Sequence, residues 1–370
     1  MKNYFKHLKI ITIICFLLGS FALSAQMRGI WLPPNGGNQK SVATQYIGLV
    51  EAKVTYHSPN IISPSTKENR KGKIWGQLVP YGTGKNDAIN VWRAGANANT
   101  VFSISHDVLV NGHKLPAGKY GVFMIPTDNE WTVIFSKESR SWGAFAYDQK
   151  EDFLRIKVKP ETNEFTQWLA YEFTEKEENT STVVLKWDSL KLPIKITVPN
   201  SKELYVERLR SDLKLGARWS NESLLGAISF CINNEINLEE AMTWVEQLLT
   251  RNRTSAGLIA KARLLAVKGQ NEAAEKIMDE IVPIASSPEL NAYGYSLLRD
   301  NKVKEAIKIF ALNIKKYPND PFIWGHTDSL AEAHLKDGNK KMALKYYKIA
   351  KEKAPVSQHA YLDGVIAKIK

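Results

Sequence analysis

The residues best suited to chemistry form a group of aromatic, basic and amide side chains between positions 81 and 99. Tyr81, Trp92, Arg93, Asn97 and Asn99 lie among glycines and other small residues. Aromatic rings offer stacking faces, and a guanidinium and two amides supply directed hydrogen bonds, which is the composition of a site for a sugar or small polar ligand. The alternative interpretation is that the rings fill a core and the arginine pairs with a carboxylate.

A second group combines aromatic and acidic side chains further along the chain. It consists of Trp142, Tyr147, Asp148 and Asp152. Together with the first group it predicts a ligand-binding site. The two aspartates also allow the hypothesis of a hydrolase of unfamiliar type, with Asp148 or Asp152 as general acid or base. Asp152 is equally suited to pair with Arg93 in a purely structural ion pair.

Motifs of the common catalytic and metal-binding sites are absent from the sequence. His57, His106 and His113 show neither H-x-H nor H-E-x-x-H spacing. There is also no G-x-S-x-G elbow, no P-loop and no G-x-G-x-x-G. The sequence therefore predicts no metal and no cofactor, and it favours a protein without catalytic activity.

Strand-like alternation dominates residues 26–200, the predicted first domain. Residues 154–158, Leu-Arg-Ile-Lys-Val, place apolar side chains on one face and basic ones on the other, and the pattern recurs at 169–173, 183–187 and 194–198. Asn111-Gly112 is a strong hairpin signal, because both central residues of a type I′ turn need positive φ. Short strands without helical periodicity predict an all-β antiparallel sandwich or an open barrel.

An ordered set of motifs in this domain resembles a known family. They are Y-H-S-P at 56–59, G-Q-L-V-P-Y-G at 76–82, W-R-A-G-A-N at 92–97, L-P-A-G-K-Y at 115–120, and W-G at 142–143 with Y-D at 147–148. Over about residues 42–198 they resemble the family catalogued as domain of unknown function 2911, found in exported proteins of Gram-negative envelopes. The loop at 83–90 is longer than this resemblance leads us to expect. Since the family has no established activity, the resemblance implies a fold and a compartment but no catalytic residue.

An internal repeat with helical periodicity occupies residues 201–370, the predicted second domain. Its alanines, Ala241, Ala274, Ala306 and Ala343, are separated by 33, 32 and 37 residues. In the clearest copies a small residue precedes the alanine by 12 positions and an aromatic follows it by 4. This is the tetratricopeptide pattern, in which the small residue lets two helices approach and the aromatic fills the gap. We predict about four tetratricopeptide-like pairs and a C-terminal capping helix.

A tetratricopeptide-like array is typical of proteins that bind another protein or a peptide. Stacked helix pairs present an extended surface, so we expect a protein or peptide to bind there, in an interaction or scaffold role. The alternatives are that the short array only packs, and that the functional ligand is a glycan or small molecule on the β-sandwich. A lysine-rich run at 336–353 could meet anionic lipid or polysaccharide, or it could be a solvated helix face.

The N-terminus has the features of a bacterial-type signal peptide. Three lysines within the first nine residues precede a mostly apolar run at 10–23, and Ser24-Ala25 offers a small-residue cleavage site. The run is shorter than the ~20 residues that a spanning helix needs. We therefore expect removal of residues 1–25 and an exported protein without an integral membrane span. Its place would be the periplasm, the cell exterior or the periphery of the envelope.

Charge and cysteine content narrow the partners further. Without the three lysines of residues 1–25 the net charge falls from +12 to +9, with +4 in residues 26–200 and +5 in residues 201–370. Neither half is basic enough to indicate a nucleic-acid partner. Once residues 1–25 are removed, Cys231 is the single remaining cysteine, so no internal disulfide can form. Its apolar helical surroundings predict a buried thiol.

Overall fold

The computed structural model describes residues 38–82 and 91–369. The chain divides into two compact units, the first ending at Ser201 and the second beginning at Lys202. The predicted signal peptide lies outside the described residues. Within the described ranges, no helix is long and apolar enough to cross a membrane.

Strands make up most of the first unit. They are β1 (Gln39–Ile47), β2 (Val50–Ser58), β3 (Thr100–Ile104), β4 (Val108–Val110), β5 (His113–Leu115), β6 (Gly118–Ile125), β7 (Trp131–Ser136), β8 (Asp152–Val158), β9 (Glu161–Thr174) and β10 (Thr180–Thr197). They form a six-stranded sheet in the order β1-β2-β3-β6-β7-β8 and a four-stranded sheet in the order β5-β4-β10-β9. Every pairing is antiparallel. The predicted all-β antiparallel fold is confirmed.

The predicted hairpin joins β4 and β5. Asn111 and Gly112 adopt φ angles of 46° and 84°, and Val110 is paired with His113. Positive φ at both central residues is what a type I′ turn requires, and asparagine and glycine tolerate it best. The local sequence thus determines this turn.

A cluster of tryptophans fills the space between the two sheets. Trp131 of β7 and Trp187 of β10 are 0% and 1% exposed. Trp75 lies between them, with ring centroids at 4.8 Å from Trp131 and 5.7 Å from Trp187. Trp92 stacks on Trp187 at 6.3 Å. Because these rings come from both sheets, the sheets pack face to face as a sandwich.

Helices make up the second unit. They are α1 (Ser201–Lys214), α2 (Asn221–Asn234), α3 (Leu238–Arg251), α4 (Ser255–Val267), α5 (Asn271–Ile284), α6 (Ser287–Arg299), α7 (Val303–Lys316), α8 (Ile323–Lys336), α9 (Lys340–Lys353) and α10 (His359–Ile369). Helices α2 to α9 form four consecutive pairs, and α10 follows the last pair. The predicted all-α repeat architecture is confirmed.

Loops of three residues connect the two helices within each pair, at 235–237, 268–270, 300–302 and 337–339. Each loop contains a residue in the left-handed region, such as Gly269 (φ 78°), Asn301 (φ 57°) or Gly338 (φ 79°). Such a residue ends a helix and lets the chain reverse, since its N–H can bond back to the last turn. The equal loop lengths give all four pairs the same geometry.

The repeat alanines lie where the two helices of a pair touch. Ala241, Ala306 and Ala343 are fully buried and Ala274 is 8% exposed. In the third pair, a Cβ atom on Gly294 would lie 2.4 Å from the ring of Phe310, which is itself 0% exposed. The small residue and the aromatic therefore fit each other as the repeat pattern predicts.

Candidate functional site

Two loops lie side by side on the outer face of the six-stranded sheet, the face that points away from the tryptophan cluster. The Asn99 N–H donates to the Ser141 carbonyl at 2.9 Å, and the Gly143 N–H donates to the Asn97 carbonyl at 3.1 Å. Beneath them, a Cβ atom on Gly121 would lie 2.1 Å from the Glu138 carbonyl oxygen. Only a glycine lets the loops lie this close to the sheet. They bring Asn97 and Asn99 of the first predicted group beside Trp142 of the second, since Ala98 is bridged to Trp142.

The first predicted group divides between core and surface. Trp92 belongs to the tryptophan cluster, and its indole N–H donates to the Gly95 carbonyl at 3.1 Å. Tyr81 is half-buried, and its ring packs against Gly76. Asn97 adopts a φ of 56° and donates to the Asn38 carbonyl at 3.2 Å. These three residues make structural contacts. Their side-chain types alone do not distinguish such contacts from a role in ligand binding.

Arg93 differs from its neighbours because it has no carboxylate partner among the described residues. Its Nε atom is buried without a hydrogen bond, and so are Nδ1 of His57 and Oδ1 of Asn99. Burial lowers the pKa of Arg93, and burial together with the positive charges of Lys40 and Arg93 lowers the pKa of His57. Hydrogen-bonding capacity is thus left over on this part of the outer face.

The second predicted group is largely bound to its own chain. Asp152 accepts hydrogen bonds from the Tyr147 hydroxyl at 2.7 Å and from Arg155 at 2.9 Å, so Arg155 takes the place predicted for Arg93. Burial raises the pKa of Asp152 despite these donors. Asp148 is exposed and caps a short 3₁₀ helix by accepting from the Lys150 N–H. Trp142 is 66% exposed at the rim of the loop. A catalytic role of Asp148 or Asp152 stays a prediction.

The first helices of the pairs form a second candidate surface, the first-helix face, which consists of the exposed sides of α2, α4, α6 and α8. Between α2, α4 and α6 this face holds a cavity of about 290 Å³, whose lining includes Ser229, Ile259, Arg263, Ala292 and Arg299. Its walls combine small and apolar side chains with two guanidinium groups and the carboxylate of Glu289, which accepts hydrogen bonds from Ser255 and Ser286. This composition suits an extended peptide with acceptor groups.

One arginine at this end of the first-helix face is firmly held. Arg263 donates through Nε to Asp300 Oδ2 at 3.2 Å and through Nη2 to Asp300 Oδ1 at 3.3 Å. Nη2 also donates to Asn233 Oδ1 at 3.1 Å, so the group links three successive first helices or their ends. Arg299, by contrast, is exposed and makes no hydrogen bond or ion pair with a described residue. We call this end, Arg263 with Asp300 and Arg299, the basic end.

The opposite end of the face is acidic. Asp328 and Glu332 lie one turn apart on α8, and the Tyr295 hydroxyl of α6 donates to Glu332 at 2.9 Å. Burial and the charge of Glu332 raise the pKa of Asp328 to about 6. The rings of Tyr347 and Tyr361 complete the surroundings, and the pKa of each is raised by burial and by these carboxylates. We call Asn291, Tyr295, Asp328, Glu332, Tyr347 and Tyr361 the acidic end.

A serine, a histidine and an aspartate meet between the third and fourth pairs, but not as a catalytic triad. Ser287 Oγ lies 2.8 Å and Asp320 Oδ1 lies 3.6 Å from the same nitrogen, Nε2 of His326. A triad needs the aspartate on the other nitrogen, where it orients the imidazole. Ser287 and His326 are 3% and 4% exposed, and burial lowers the pKa of His326. The group therefore joins two pairs.

The sequence prediction missed the acidic end, because its residues come from four helices. The repeat itself carried a usable signal. Asn291 and Asp328 each lie 15 residues before the repeat alanine of their pair, and Tyr295 and Glu332 each lie 11 before it. Equivalent positions in stacked repeats line one surface. The described residues contain no group of three or more histidine, cysteine, aspartate or glutamate side chains that could hold a metal ion.

A comparison with protein families gives a match to the first unit. Residues 38–196 match the family described as protein of unknown function (DUF2911), which confirms the resemblance carried by the motifs. A search of curated proteins gives no match.

Solved structures similar to this chain include several repeat proteins. The pilF protein of Pseudomonas aeruginosa is 14% identical over 41% of this chain and 67% of that chain, with a TM-score of 0.29. A thermophilic TPR protein of Thermus thermophilus is 15% identical over 46% and 90%, with a TM-score of 0.29. YrrB, a TPR protein with an unusual peptide-binding site, is 18% identical over 44% and 82%, with a TM-score of 0.26. At these values we take nothing from the likenesses about what this chain binds.

Proposed function

We propose that this chain, in which a DUF2911 domain precedes a tetratricopeptide-like array, is an exported envelope protein that binds a protein or peptide partner on its first-helix face. The role is one of interaction or scaffolding and involves no catalysis by the array. Export is supported by the signal-peptide features of residues 1–25.

One observation carries this proposal, the cavity between α2, α4 and α6. Three consecutive first helices contribute to it, and its walls hold small side chains beside Arg263 and Arg299. Small residues such as Ser229 and Ala292 leave room for a peptide backbone. The exposed guanidinium of Arg299 offers donors to the carbonyls or acidic side chains of that peptide. A segment lying across several repeats would contact equivalent positions in each.

Site-specific photocrosslinking tests the interaction. A benzoylphenylalanine placed at Ala292, which is exposed and lines the cavity, should crosslink a discrete partner in intact cells. The matched control is Ala273, which is exposed on α5, a second helix. Equal crosslinking at both positions, or none at Ala292, would contradict a partner on the first-helix face.

Export is tested separately. Mass spectrometry of the protein from a fractionated cell should give a mature chain starting at Gln26, recovered outside the cytoplasm. A full-length chain recovered in the cytoplasm would contradict export to the envelope. It would not contradict the binding of a partner on the first-helix face.

A second candidate function is the binding of a small polar ligand on the outer face of the six-stranded sheet. The observation that favours it is that Nε of Arg93, Nδ1 of His57 and Oδ1 of Asn99 are all buried without a hydrogen-bond partner among the described residues. Arg93 lies near enough to His57 for its charge to lower the pKa of that imidazole. A guanidinium recognises a carboxylate well, so an acidic sugar is a suitable first probe. Calorimetric titration with glucuronate and with glucose should show binding of the acid alone, lost in Arg93→Gln. Equal behaviour of the variant and the parent would contradict this function.

A further inference from the structure

We propose that the acidic end of the first-helix face receives the cationic side chain of a lysine or arginine in the partner peptide. The inference rests on the proposed function, and it adds the chemical identity of one anchor residue. It follows from where the acidic end leaves hydrogen-bond acceptors without donors.

The two helices that carry the acidic end are held at a fixed distance. Tyr295 on α6 and Glu332 on α8 occupy equivalent repeat positions, and their hydrogen bond of 2.9 Å joins the helices at that level. Asn291 and Asp328 lie one turn earlier on the same helices. Residues four apart lie on the same side of a helix, so Asn291 lies on the side of α6 that carries Tyr295, and Asp328 lies on the side of α8 that carries Glu332.

Acceptor atoms at that level have no donor. Oδ1 of Asn291 and Oδ1 of Asp328 are both buried and make no hydrogen bond with any described residue. A buried acceptor without a donor destabilises the chain, and the effect is larger when the acceptor is charged. Two such atoms on adjacent helices define a place where a donor-rich group would be stabilised.

Tyr347 offers a hydroxyl at the same place. The residue is 3% exposed, and its hydroxyl makes no hydrogen bond with a described residue. Asp328 and Glu332 lie near enough for their charges, together with burial, to raise the pKa of Tyr347. The hydroxyl oxygen itself is not among the fully enclosed atoms, so a group placed between the carboxylates can reach it and donate a hydrogen bond to it.

The acidic end also lacks a positive charge. Neither Asp328 nor Glu332 forms an ion pair with a lysine, arginine or histidine among the described residues, whereas Asp300 at the other end is paired with Arg263. Burial beside Glu332 makes ionisation of Asp328 costly. A cation between the two carboxylates would offset that cost.

The surroundings favour a long organic cation. The rings of Tyr295 and Tyr361 border the carboxylates, and aromatic faces attract ammonium and guanidinium groups. Lysine and arginine also carry apolar stems that pack along such rings while their charged heads form hydrogen bonds. A lysine or arginine side chain of a peptide lying along the first-helix face satisfies all these groups at once.

Two probes on the full chain test the inference. The first is an array of acetylated peptides, each with one position occupied by lysine, arginine or the uncharged norleucine. The second is Nα-acetyl-lysine N-methylamide, titrated against ring-¹³C-tyrosine protein by NMR, with the norleucine amide as control. Variants are Asp328→Asn and Glu332→Gln, which keep side-chain shape, and Asp279→Asn, an exposed aspartate on α5, as the matched control.

We expect lysine and arginine to be preferred over norleucine on the array, and we expect the lysine amide to shift the tyrosine signals. Loss of one charge-assisted hydrogen-bonding group should weaken both effects about tenfold or more in Asp328→Asn and Glu332→Gln. Asp279→Asn should bind like the parent. Spectra of each variant show directly whether it is folded.

The outcomes separate this inference from the proposed function. Peptide binding without a cation preference, and no response to the lysine amide, would overturn the inference and leave the peptide-binding function standing. A response to the amide that is lost in Asp328→Asn, with no peptide bound, would support the cation pocket and contradict the function. A response unchanged in both variants would also overturn the inference.

Discussion

The two ends of the first-helix face treat their charged groups in opposite ways. At the basic end, Arg263 is matched by Asp300 and Asn233 through three hydrogen bonds of 3.1 to 3.3 Å. At the acidic end, Asp328 and Asn291 each keep a buried oxygen that no described residue donates to. Arg263 lies on α4 and Asp328 on α8, both of them first helices of a pair, so the same kind of helix holds its charged group in two different ways.

The comparison shows how a repeat array can separate stability from binding. A charge that is paired within the chain contributes to the packing of successive helices, whereas a charge left unpaired reduces stability until a partner supplies the opposite charge. The next four predictions test this division.

The largest effect is expected from Phe310→Ala. Phe310 is 0% exposed and its ring meets Gly294 and Tyr295. Removing it should cost about 3–5 kcal/mol in the free energy of unfolding, because a cavity is left in the core of the third pair. Urea denaturation followed by circular dichroism measures this. Val356→Ala, at a position that is 82% exposed, is the control and should change little. Helix α6 of this pair contributes residues to both the basic and the acidic end. A loss below 1 kcal/mol would show that packing of the third pair does not stabilise the helices that hold the two ends.

Asp300→Asn should destabilise the chain. It leaves the guanidinium of Arg263, whose side chain is 10% exposed, without its carboxylate. The expected loss is about 1–3 kcal/mol at neutral pH, the usual cost of an unpaired, largely buried charged group. If thermal or urea denaturation shows no loss, the basic end is not structural and the comparison fails.

Asp328→Asn should have the opposite sign. The pKa of Asp328 is raised from 3.8 to about 6, so ionisation costs stability in the folded chain as pH rises between these values. The groups facing it are Glu332 on α8, Tyr295 on α6, Tyr347 on α9 and Tyr361 on α10. Above pH 6 the variant should be about 1–2 kcal/mol more stable than the parent, allowing for partial solvent exposure.

The pH profile is the control for that prediction. The advantage of Asp328→Asn should shrink as the pH falls from 6 towards 4, where the parent's carboxyl is protonated. A gain that is the same at pH 4 and pH 8 would show that the charge of Asp328 is not its cause.

The smallest effect is expected from Arg299→Gln. Arg299 is exposed and has no partner among the described residues, so its replacement should change the free energy of unfolding by no more than about 0.5 kcal/mol. The same urea titration checks this. A loss comparable to that of Asp300→Asn would place Arg299 in the structural part of the basic end.

Much of the fold follows from local sequence patterns. Alternation with a period of two predicts the antiparallel strands, since one face of each strand is buried. The spacing of Ala274, Ala306 and Ala343 predicts the helix pairs, since each alanine marks a contact between two helices. The wider spacing before Ala343 corresponds to the longer connection at 317–322, between α7 and α8. These features depend on neighbours in the chain.

The candidate sites follow less well, because they depend on which residues meet in space. Trp92 and Arg93 are adjacent in the sequence, but one packs in the tryptophan cluster and the other lies on the outer face of the sheet. The pairing of Asp152 with Arg155, in place of Arg93, is decided by the course of β8. Side-chain type suggests which groups can bind, and only the packing determines which remain free to do so.

The buried cysteine predicted from the sequence can report local opening of the helical unit. Cys231 is 0% exposed on α2, and burial raises the pKa of its thiol. In a chain starting at Gln26 it is the single thiol. An alkylating reagent can then react only when α2 opens, so the modification rate measures the frequency of that opening. A partner bound across α2, α4 and α6 would slow the reaction. The alkylation rate of Cys231 would therefore report how much of the protein has a partner bound on the first-helix face.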